Sequence, residues 1–459
     1  MRPPMEVAAT NVTGPRIRWL VETRATLRLA VPMITGQVAQ MAMQFCDALM
    51  VGRFLGVVPL AASALAVSIQ SPAFVASIGL LSAVGVRAAQ ALGAGRRDTA
   101  GEVLRHGMIL AFSAGVLLAL AIWAAEPLYY HLGQDPEVVR QALPFLRFFA
   151  WSIVPSLLWQ TLKQYSEAHN LARPPMWTAL AGVALNLALN YSLMFGKFGF
   201  PALGLPGSGL ATLLARCFTF LMLALWAWNS PQLRDEIRAI HWFRRPRWEH
   251  FSALFALGIP GSLQLLMEVM AFAGAAFLMG SLGAPALAAH QIAITYAAST
   301  FMVPLGFAFA TSLRVGQAFG AGERDRLRVI AFGGLAMAAS VMTVGAVVFS
   351  LAGPWLAGWF TLDPAVVTIA ASLLVVAGVF QIVDGIQVVG MAILRGLSDV
   401  RVPTLIAFCS YWVLALPLCY FLGFYTSLGP VGIWWGLAAG LGCAAGLLAW
   451  RVARKTRRR

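Results

Sequence analysis

Charged residues are scarce in this sequence. Only 11% of its 459 residues are Asp, Glu, Lys or Arg, whereas 59% are hydrophobic, and the mean hydropathy is +0.76. A soluble protein of this length needs far more charge to cover its surface. The scarcity therefore excludes an ordinary soluble enzyme or binding domain, and it predicts a protein whose surface faces lipid.

Sequence motifs for catalysis and for cofactor binding are also lacking. The five cysteines form no C-x-x-C pair, and His290 in "AAHQ" has no second histidine four residues later. The glycine-rich stretches "GAGRRD" (93–98) and "GAGERD" (320–325) lack the G-x-x-x-x-G-K-[ST] pattern of ATP-binding loops. We therefore predict that the protein is not an enzyme, has no catalytic residues and binds no cofactor.

Long apolar runs are what the chain has in abundance. Runs of about twenty residues recur from Leu27 to Trp450, and each is long enough to cross roughly 30 Å of hydrocarbon as a helix. We predict an all-α polytopic membrane protein with twelve transmembrane helices.

The formal net charge of +15 is concentrated between the apolar runs. Most Lys and Arg residues lie at the two ends of the chain, including "RVARKTRRR", and in every second connection. This alternation is typical of cytoplasmic loops and not of a nucleic-acid interface. It predicts a multi-pass protein of the inner (plasma) membrane with both termini in the cytoplasm.

The two halves of the chain resemble each other. "AAQALGAGRRD" (88–98) matches "VGQAFGAGERD" (315–325), and "ARPP" (172–175) matches "VRVP" (400–403), so the offset stays at about 227 residues. Each half has an even number of spans, so we expect two parallel repeats, each a six-helix bundle. The predicted parts are a cytoplasmic N-terminal segment (1–25), an N-lobe (26–228), a cytoplasmic linker (229–250), a C-lobe (251–450) and a basic cytoplasmic tail (451–459).

Three acidic residues lie well inside predicted spans: Asp47, Glu268 and Asp384. A charge at the bilayer centre costs about 2.5–3.5 kcal/mol on insertion scales, so such residues face a cavity or the bundle interior. Amide side chains lie beside them at helical spacing or as an i, i+4 pair in the fifth span. These amides are Gln44, Gln264, Gln381, Asn186 and Asn190. Hydrogen-bond anchors between helices would use the same residues, and for Asp47, near the outer end of its span, an interfacial position is a further alternative.

Carboxylates in a cavity of low dielectric constant favour cation exchange. They can take up a proton near neutral pH, or hold Na⁺ together with amide and carbonyl oxygens. An organic cation needs the same negative charge, and mutual exclusion between a small cation and a drug is the minimal mechanism of an antiporter. The residues leave the coupling ion open between Na⁺ and H⁺, and a sodium site, if there is one, is expected at Glu268 and Asp384.

Five segments carry a resemblance to a known family: "CDALMVGRFLG", "GIPGSLQLLMEV", "ALAAHQIA", "QIVDGIQVVGMAILRG" and "LNLALNYSLMFGKFG". Together with the duplicated topology, they resemble the multidrug and toxic compound extrusion (MATE) family in its NorM-like branch, from Leu27 to Trp450. The resemblance implies a central V-shaped cleft and alternating access. It also implies secondary active efflux of cationic, often aromatic drugs by antiport against Na⁺ or H⁺.

The resemblance also assigns residues. It implies that Glu268 and Asp384 form the cation site of the C-lobe, and that Asp47 is the acid of the N-lobe. The further positions that it implies are Asn186 and Asn190 as partners of Asp47, Gln291 and Phe301 as lining of the C-lobe, and Pro32 as the bend of the first helix. Phe380 departs from the pattern, because some relatives have a tyrosine there.

Other functions are compatible with twelve spans. The alternatives are a major-facilitator-like transporter, a transporter of lipid-linked substrates, and an intramembrane enzyme, although the three acids lack catalytic spacing. The expected partners are small cationic or aromatic drugs and toxic compounds and the lipid bilayer, without nucleic acid, and the chain is expected to act as a monomer.

Overall fold

The computed structural model describes residues 15–131 and 133–457, and this part of the chain is helical without any strand. A π-helical segment spans Cys409–Ala415. The helices are α1 (Pro15–Phe54), α2 (Val57–Gly93), α3 (Arg97–Ala124), α4 (Glu126–Tyr129), α5 (Pro136–Trp151), α6 (Ile153–Ala168), α7 (Arg173–Phe195), α8 (Leu205–Asn229), α9 (Arg234–Ala239), α10 (Trp248–Ser281), α11 (Ala284–Gly320), α12 (Arg324–Gly358), α13 (Pro364–Gly396), α14 (Arg401–Phe408), α15 (Leu416–Phe424) and α16 (Pro430–Lys455).

Eleven helical segments of the described residues are long and apolar enough to cross a membrane. α5 continues into α6, and α14 into α15, so each of these pairs forms one segment. α1 is 40 residues long but is not among the eleven, because three glutamines and an aspartate interrupt its apolar part. The all-helical membrane fold is thus confirmed, and α1 stays the predicted twelfth span.

Both ends of the chain differ in detail from the predicted segments. α1 begins at Pro15, so the described part of the predicted N-terminal segment 1–25 is helical and continuous with the first span. α16 extends to Lys455 into the predicted tail. Residues 1–14 and 458–459 of these two segments lie outside the described residues.

Two compact units make up the chain. The C-terminal unit contains Met1–Ile34 and Leu263–Arg459, and the N-terminal unit contains Thr35–Ser262. The division therefore cuts α1 just after Pro32 and α10 just after Pro260. The first part of α1 belongs to the C-terminal unit, although it was predicted in the N-lobe, and the first part of α10 belongs to the N-terminal unit, although it was predicted in the C-lobe. Proline removes a backbone hydrogen bond and weakens a helix locally, which lets its two parts pack separately. The predicted lobes as functional bodies stay a prediction.

α13 is the central helix of the C-terminal unit. It packs against α11, α12 and α16, and its small residues permit close approach, as is common between membrane helices. At Gly396, for example, a Cβ would lie 2.6 Å from the carbonyl oxygen of Ser312. This packing holds the middle of α13, with Asp384, inside the unit.

Buried ion pairs join α1 to the rest of the C-terminal unit. Arg314 of α11 donates to the carboxylate of Glu22 and to the hydroxyl of Thr26. Arg326 of α12 donates to the other carboxylate oxygen of Glu22 over 3.0 Å. Glu22 and Arg314 are both buried, so the first part of α1 is held by charges that water does not screen.

Candidate functional site

The C-terminal unit brings Glu268 and Asp384 together. Glu268 lies on α10 and Asp384 on α13, close enough for the two carboxylates to interact electrostatically. Asp384 is only 5% exposed, and Glu268 is half-buried. The structure thus brings these two acids close to each other, and we call them the acid pair; that they form one cation site stays a prediction.

Tyr411 and Arg395 complete the surroundings of Glu268. The Tyr411 hydroxyl is a hydrogen-bond partner of Glu268, and the Arg395 guanidinium interacts with the same carboxylate. The Tyr411 hydroxyl also accepts a hydrogen bond of 2.9 Å from Nε2 of Gln387. Tyr411 lies in the π-helical segment, and π-helical turns are frequent at functional sites.

Gln264 connects Arg395 to α14. Its Oε1 accepts a hydrogen bond of 3.1 Å from Nη2 of Arg395, and its Nε2 donates to the hydroxyl of Thr404 over 2.9 Å. Gln264 is buried, so it fixes the direction of the Arg395 guanidinium and thereby the position of the positive charge beside Glu268.

Several buried polar atoms next to the acid pair have no hydrogen-bond partner within the part of the chain that the structure describes. Burying such atoms costs free energy unless they are hydrogen-bonded, so water or a polar ligand would be stabilised next to them. These atoms are Oδ1 of Asp384, both side-chain polar atoms of Gln381, Oε1 of Gln387 and Nε of Arg395.

Phe380 lies outside this polar group. Its ring packs edge-on against Phe272 and Trp434, with centroid distances of 5.9 and 5.5 Å. The hydroxyl that a tyrosine would have supplied at this position is missing, but Tyr411 places a hydroxyl beside Glu268. The hydroxyl ligand of a cation at Glu268 would thus come from a different helical segment.

The sequence did not reveal Tyr411 or Arg395 as members of the site. Spacing along one helix detects neighbours on that helix, whereas Tyr411 and Glu268 come together only when α10 packs near the π-helical segment. Arg395 lies in the last turn of α13, where a basic residue next to a connection attracts no attention in the sequence. The usable signal was its position eleven residues after Asp384, which puts it on the same helix.

A second polar cluster lies in the N-terminal unit. Nδ2 of Asn190 donates to Oδ1 of Asp47 over 2.6 Å, and to Oδ1 of Asn186 over 3.1 Å. The hydroxyl of Thr212 donates to the carbonyl oxygen of Ser208 over 3.0 Å, and its oxygen lies near Asp47. The structure thus brings Asp47 to both asparagines that were predicted as its partners.

Arg216 supplies a positive charge to this second cluster. It is buried and interacts electrostatically with Asp47. Its Nη1 donates to the Ser152 hydroxyl over 2.8 Å, and its guanidinium lies 5.2 Å from the ring centre of Phe149 and 5.6 Å from that of Phe74. Aromatic faces and a hydroxyl therefore hold the guanidinium in place, and Asp47 partly compensates its charge.

The other predicted residues are not among the hydrogen-bond partners described for these two clusters. Gln44 is exposed on α1, and Phe301 is half-buried on α11. Gln291 lines a pocket of about 320 Å³ together with Thr295, Phe360, Thr361 and Asp363, and the acid pair is not part of its lining. Pro32 is buried inside α1.

The described residues contain no group of three or more His, Cys, Asp or Glu that could hold a metal ion. His290 is buried, and its Nδ1 accepts a hydrogen bond of 3.1 Å from the Trp434 indole. Two carboxylates with amide and hydroxyl oxygens are hard oxygen ligands, which can bind a hard cation or a proton.

Comparison with known proteins gives consistent results. The family model MatE matches residues 32–192 and 260–421, two segments that begin at Pro32 and Pro260 and follow the internal repeat. The chain is 37% identical over 446 residues to "Probable multidrug resistance protein NorM" of Rhizobium meliloti (strain 1021), covering 96% of this chain and 95% of that protein. It is 39% identical over 440 residues to a protein of the same name from Bradyrhizobium diazoefficiens, covering 94% and 93%.

A solved structure has the same fold. The crystal structure of the eukaryotic MATE transporter AtDTX14 superimposes with a TM-score of 0.84 at 24% sequence identity, and the match covers 96% of this chain and 99% of that one.

Proposed function

The chain belongs to the MatE family, in the branch of the NorM proteins, and from this premise we propose that it is a secondary active multidrug efflux transporter. Membership of this family removes the major-facilitator alternative, and the family consists of transporters and not of enzymes. The proposed substrates are drugs and other toxic organic compounds, mostly cationic, and the proposed driving force is antiport against Na⁺ or H⁺.

The acid pair carries the proposal. Two carboxylates and one guanidinium meet in the C-terminal unit, so the group carries one net negative charge when both acids are ionised. A buried net charge is costly, and one monovalent cation removes it. The unpartnered atoms of Asp384 and Gln381 would be its neighbours. This supports a site that binds one coupling cation in each cycle.

The N-terminal cluster supports a different role. Asp47 already has Arg216 as a counter-charge and Asn190 as a hydrogen-bond donor, so it does not need an external cation to be neutralised. We assign it a substrate-binding or proton-linked function that is secondary to the acid pair. Drug and coupling ion would then act on different units, and their mutual exclusion would require each to favour a different conformation.

Conformational change is proposed to use two of the prolines that lie inside helices. Pro32 and Pro260 lie just before the points at which α1 and α10 pass from one compact unit to the other. Bending at these points would change the position of Glu268, which lies beyond Pro260 on α10. Both termini are proposed to lie in the cytoplasm, with the protein acting as a monomer in the inner membrane.

Proteoliposomes test the proposal. Efflux of ethidium is followed after a sodium gradient or a pH gradient is imposed separately, with the unaltered protein and with the variant Asp384→Asn. A matched control is Asp235→Asn, because Asp235 is an exposed acid of α9. We expect one of the gradients to drive efflux by the unaltered protein and the control, and neither to drive it in Asp384→Asn. Antiport of cationic drugs is wrong if neither gradient drives efflux by the unaltered protein.

A further inference from the structure

The connection before α10 contains a loop with the sequence "WFRRPRW", residues 242–248, which we call the linker loop. Two side chains of α3 hold its backbone. Arg105 donates to the carbonyl oxygen of Arg244, and Nε2 of His106 accepts from the backbone N–H of Arg247 over 3.0 Å. Arg105 is 1% exposed and His106 is fully buried. Buried polar side chains thus fix the loop, which is more than a flexible connection requires.

Apart from the half-buried Trp242, the side chains of the linker loop are exposed. Phe243 is fully exposed and Trp248 is 72% exposed, and Arg244, Arg245 and Arg247 are exposed as well. Large aromatic side chains left in water indicate that something else covers them. A loop whose backbone is fixed and whose aromatic and basic side chains point outward is built for contact with a partner.

The aromatic residues continue from the loop along α10. The ring of Trp248 lies 6.3 Å from that of Phe251 and 6.1 Å from that of Phe255, and Phe251 and Phe255 stack at 6.5 Å. They lie at the start of a helix that is apolar enough to span a membrane. Tryptophan is enriched where a span meets the lipid headgroups, so the linker loop lies at the boundary between membrane and water.

The three arginines of the linker loop are available for a negatively charged ligand. Among the described residues no carboxylate forms an ion pair with any of them. A guanidinium binds phosphate through two parallel hydrogen bonds, and phosphate at this depth belongs to lipid headgroups. We propose that the linker loop binds the headgroup of an anionic phospholipid, with Phe243 and Trp248 inserted between the neighbouring lipids.

Lipid bound at this place would hold the N-terminal end of α10. That helix begins at Trp248 and carries Pro260 and Glu268. The headgroup contact would therefore provide a fixed point from which the part of α10 beyond Pro260 moves. This consequence rests on the proposed transport function, whereas lipid binding itself does not.

Binding is measured without transport. The full chain in detergent is titrated with phosphatidylglycerol or with phosphatidylcholine, and the lipid-bound species are quantified by native mass spectrometry. The test variant combines Arg244→Gln, Arg245→Gln and Arg247→Gln, and these changes leave the backbone contacts to Arg105 and His106 in place. The control variant removes three exposed arginines outside the linker loop: Arg96→Gln, Arg324→Gln and Arg457→Gln.

We expect the first phosphatidylglycerol to bind the test variant roughly a hundredfold more weakly than the unaltered protein, because each basic residue near an anionic surface contributes about fivefold. The control variant should stay close to the unaltered protein, and phosphatidylcholine should bind equally weakly to all three proteins. The proposal is overturned if the test and control variants bind phosphatidylglycerol alike. It is also overturned if inorganic phosphate at millimolar concentration displaces the lipid from the unaltered protein, since free phosphate would then be the ligand.

Discussion

Nδ2 of Asn190 lies 2.6 Å from Oδ1 of Asp47, although 143 residues separate them in the chain. This hydrogen bond joins α7 to α1, and Arg216 of α8 adds a positive charge to the same carboxylate. The acid pair has a different balance, with two carboxylates and one guanidinium. The charge of Asp47 in one unit is thus compensated by a guanidinium, whereas the acid pair in the other unit has one guanidinium for two carboxylates. The acids of the two units should therefore respond differently to substitution.

Neutralising Asp384 should abolish coupling without affecting membrane insertion. Asp384→Asn removes the negative charge that a cation neutralises, while the amide keeps the volume of the side chain. Ion-driven drug efflux in proteoliposomes should fall to the level of empty liposomes. Yield and thermal unfolding temperature in detergent should equal those of the unaltered protein or exceed them, because burying a charge is costly. Efflux at the normal rate would exclude Asp384 as a coupling residue.

Removing the Tyr411 hydroxyl should weaken cation binding. Tyr411→Phe leaves Gln387 without its acceptor and Glu268 without a hydrogen-bond donor, and an unsatisfied buried group costs about 1–3 kcal/mol. We expect the cation concentration for half-maximal efflux to rise roughly fivefold or more. Tyr420→Phe is the control, since Tyr420 is an exposed tyrosine of the following helix α15. Equal cation dependence of the two variants would contradict the role of Tyr411.

Arg216 and Asp47 should behave as a coupled pair. Asp47→Asn alone leaves the buried guanidinium without a negative partner, and Arg216→Met alone leaves the carboxylate without a positive one. Each single change should destabilise the protein by up to about 3–5 kcal/mol, the cost of breaking a buried pair. The double variant should recover part of this loss, which thermal unfolding in detergent would detect as a coupling free energy. Additive losses would mean that the two charges do not interact.

How much the sequence could predict is visible at these same residues. The membrane fold, the repeat and the three acids follow from hydropathy, offset and the cost of an intramembrane charge, all of which are properties of the chain itself. The partners from other helices do not follow, because Tyr411 and Arg395 reach Glu268 only through packing. The sequence also did not reveal the point at which α1 passes from one unit to the other. A boundary between units is expected in a loop, whereas the structure places this one inside a helix, just after Pro32.

The Glu22 ion pairs should determine how firmly α1 is held. Glu22→Gln removes the negative partner of the buried Arg314 and of Arg326, so we expect a loss of about 3–5 kcal/mol in unfolding free energy. Hydrogen exchange should rise at residues 18–30, before Pro32, more than elsewhere. Glu323→Gln is the control, because Glu323 pairs with Arg326 at the exposed surface and such a pair contributes little. Uniformly increased exchange would contradict a local anchor.

The linker helix α9 should detach from α6 in acid. Burial alone would raise the pKa of the Glu236 carboxyl, but hydrogen bonds from His169 and Tyr165 and the charge of Arg97 outweigh it, so the pKa of Glu236 in the folded protein lies below its usual value. A depressed pKa means that the carboxylate stabilises the folded state above its unfolded pKa, and that this stabilisation is lost as the pH falls through the folded pKa. Proteolysis within residues 230–247 should therefore be slow at pH 7 and accelerate below about pH 4.

Glu236→Gln should be cleaved faster already at pH 7, with little further change in acid, whereas the control Asp235→Asn should follow the unaltered protein. A Glu236→Gln protein that is cleaved as slowly as the control at pH 7 would show that other contacts hold α9.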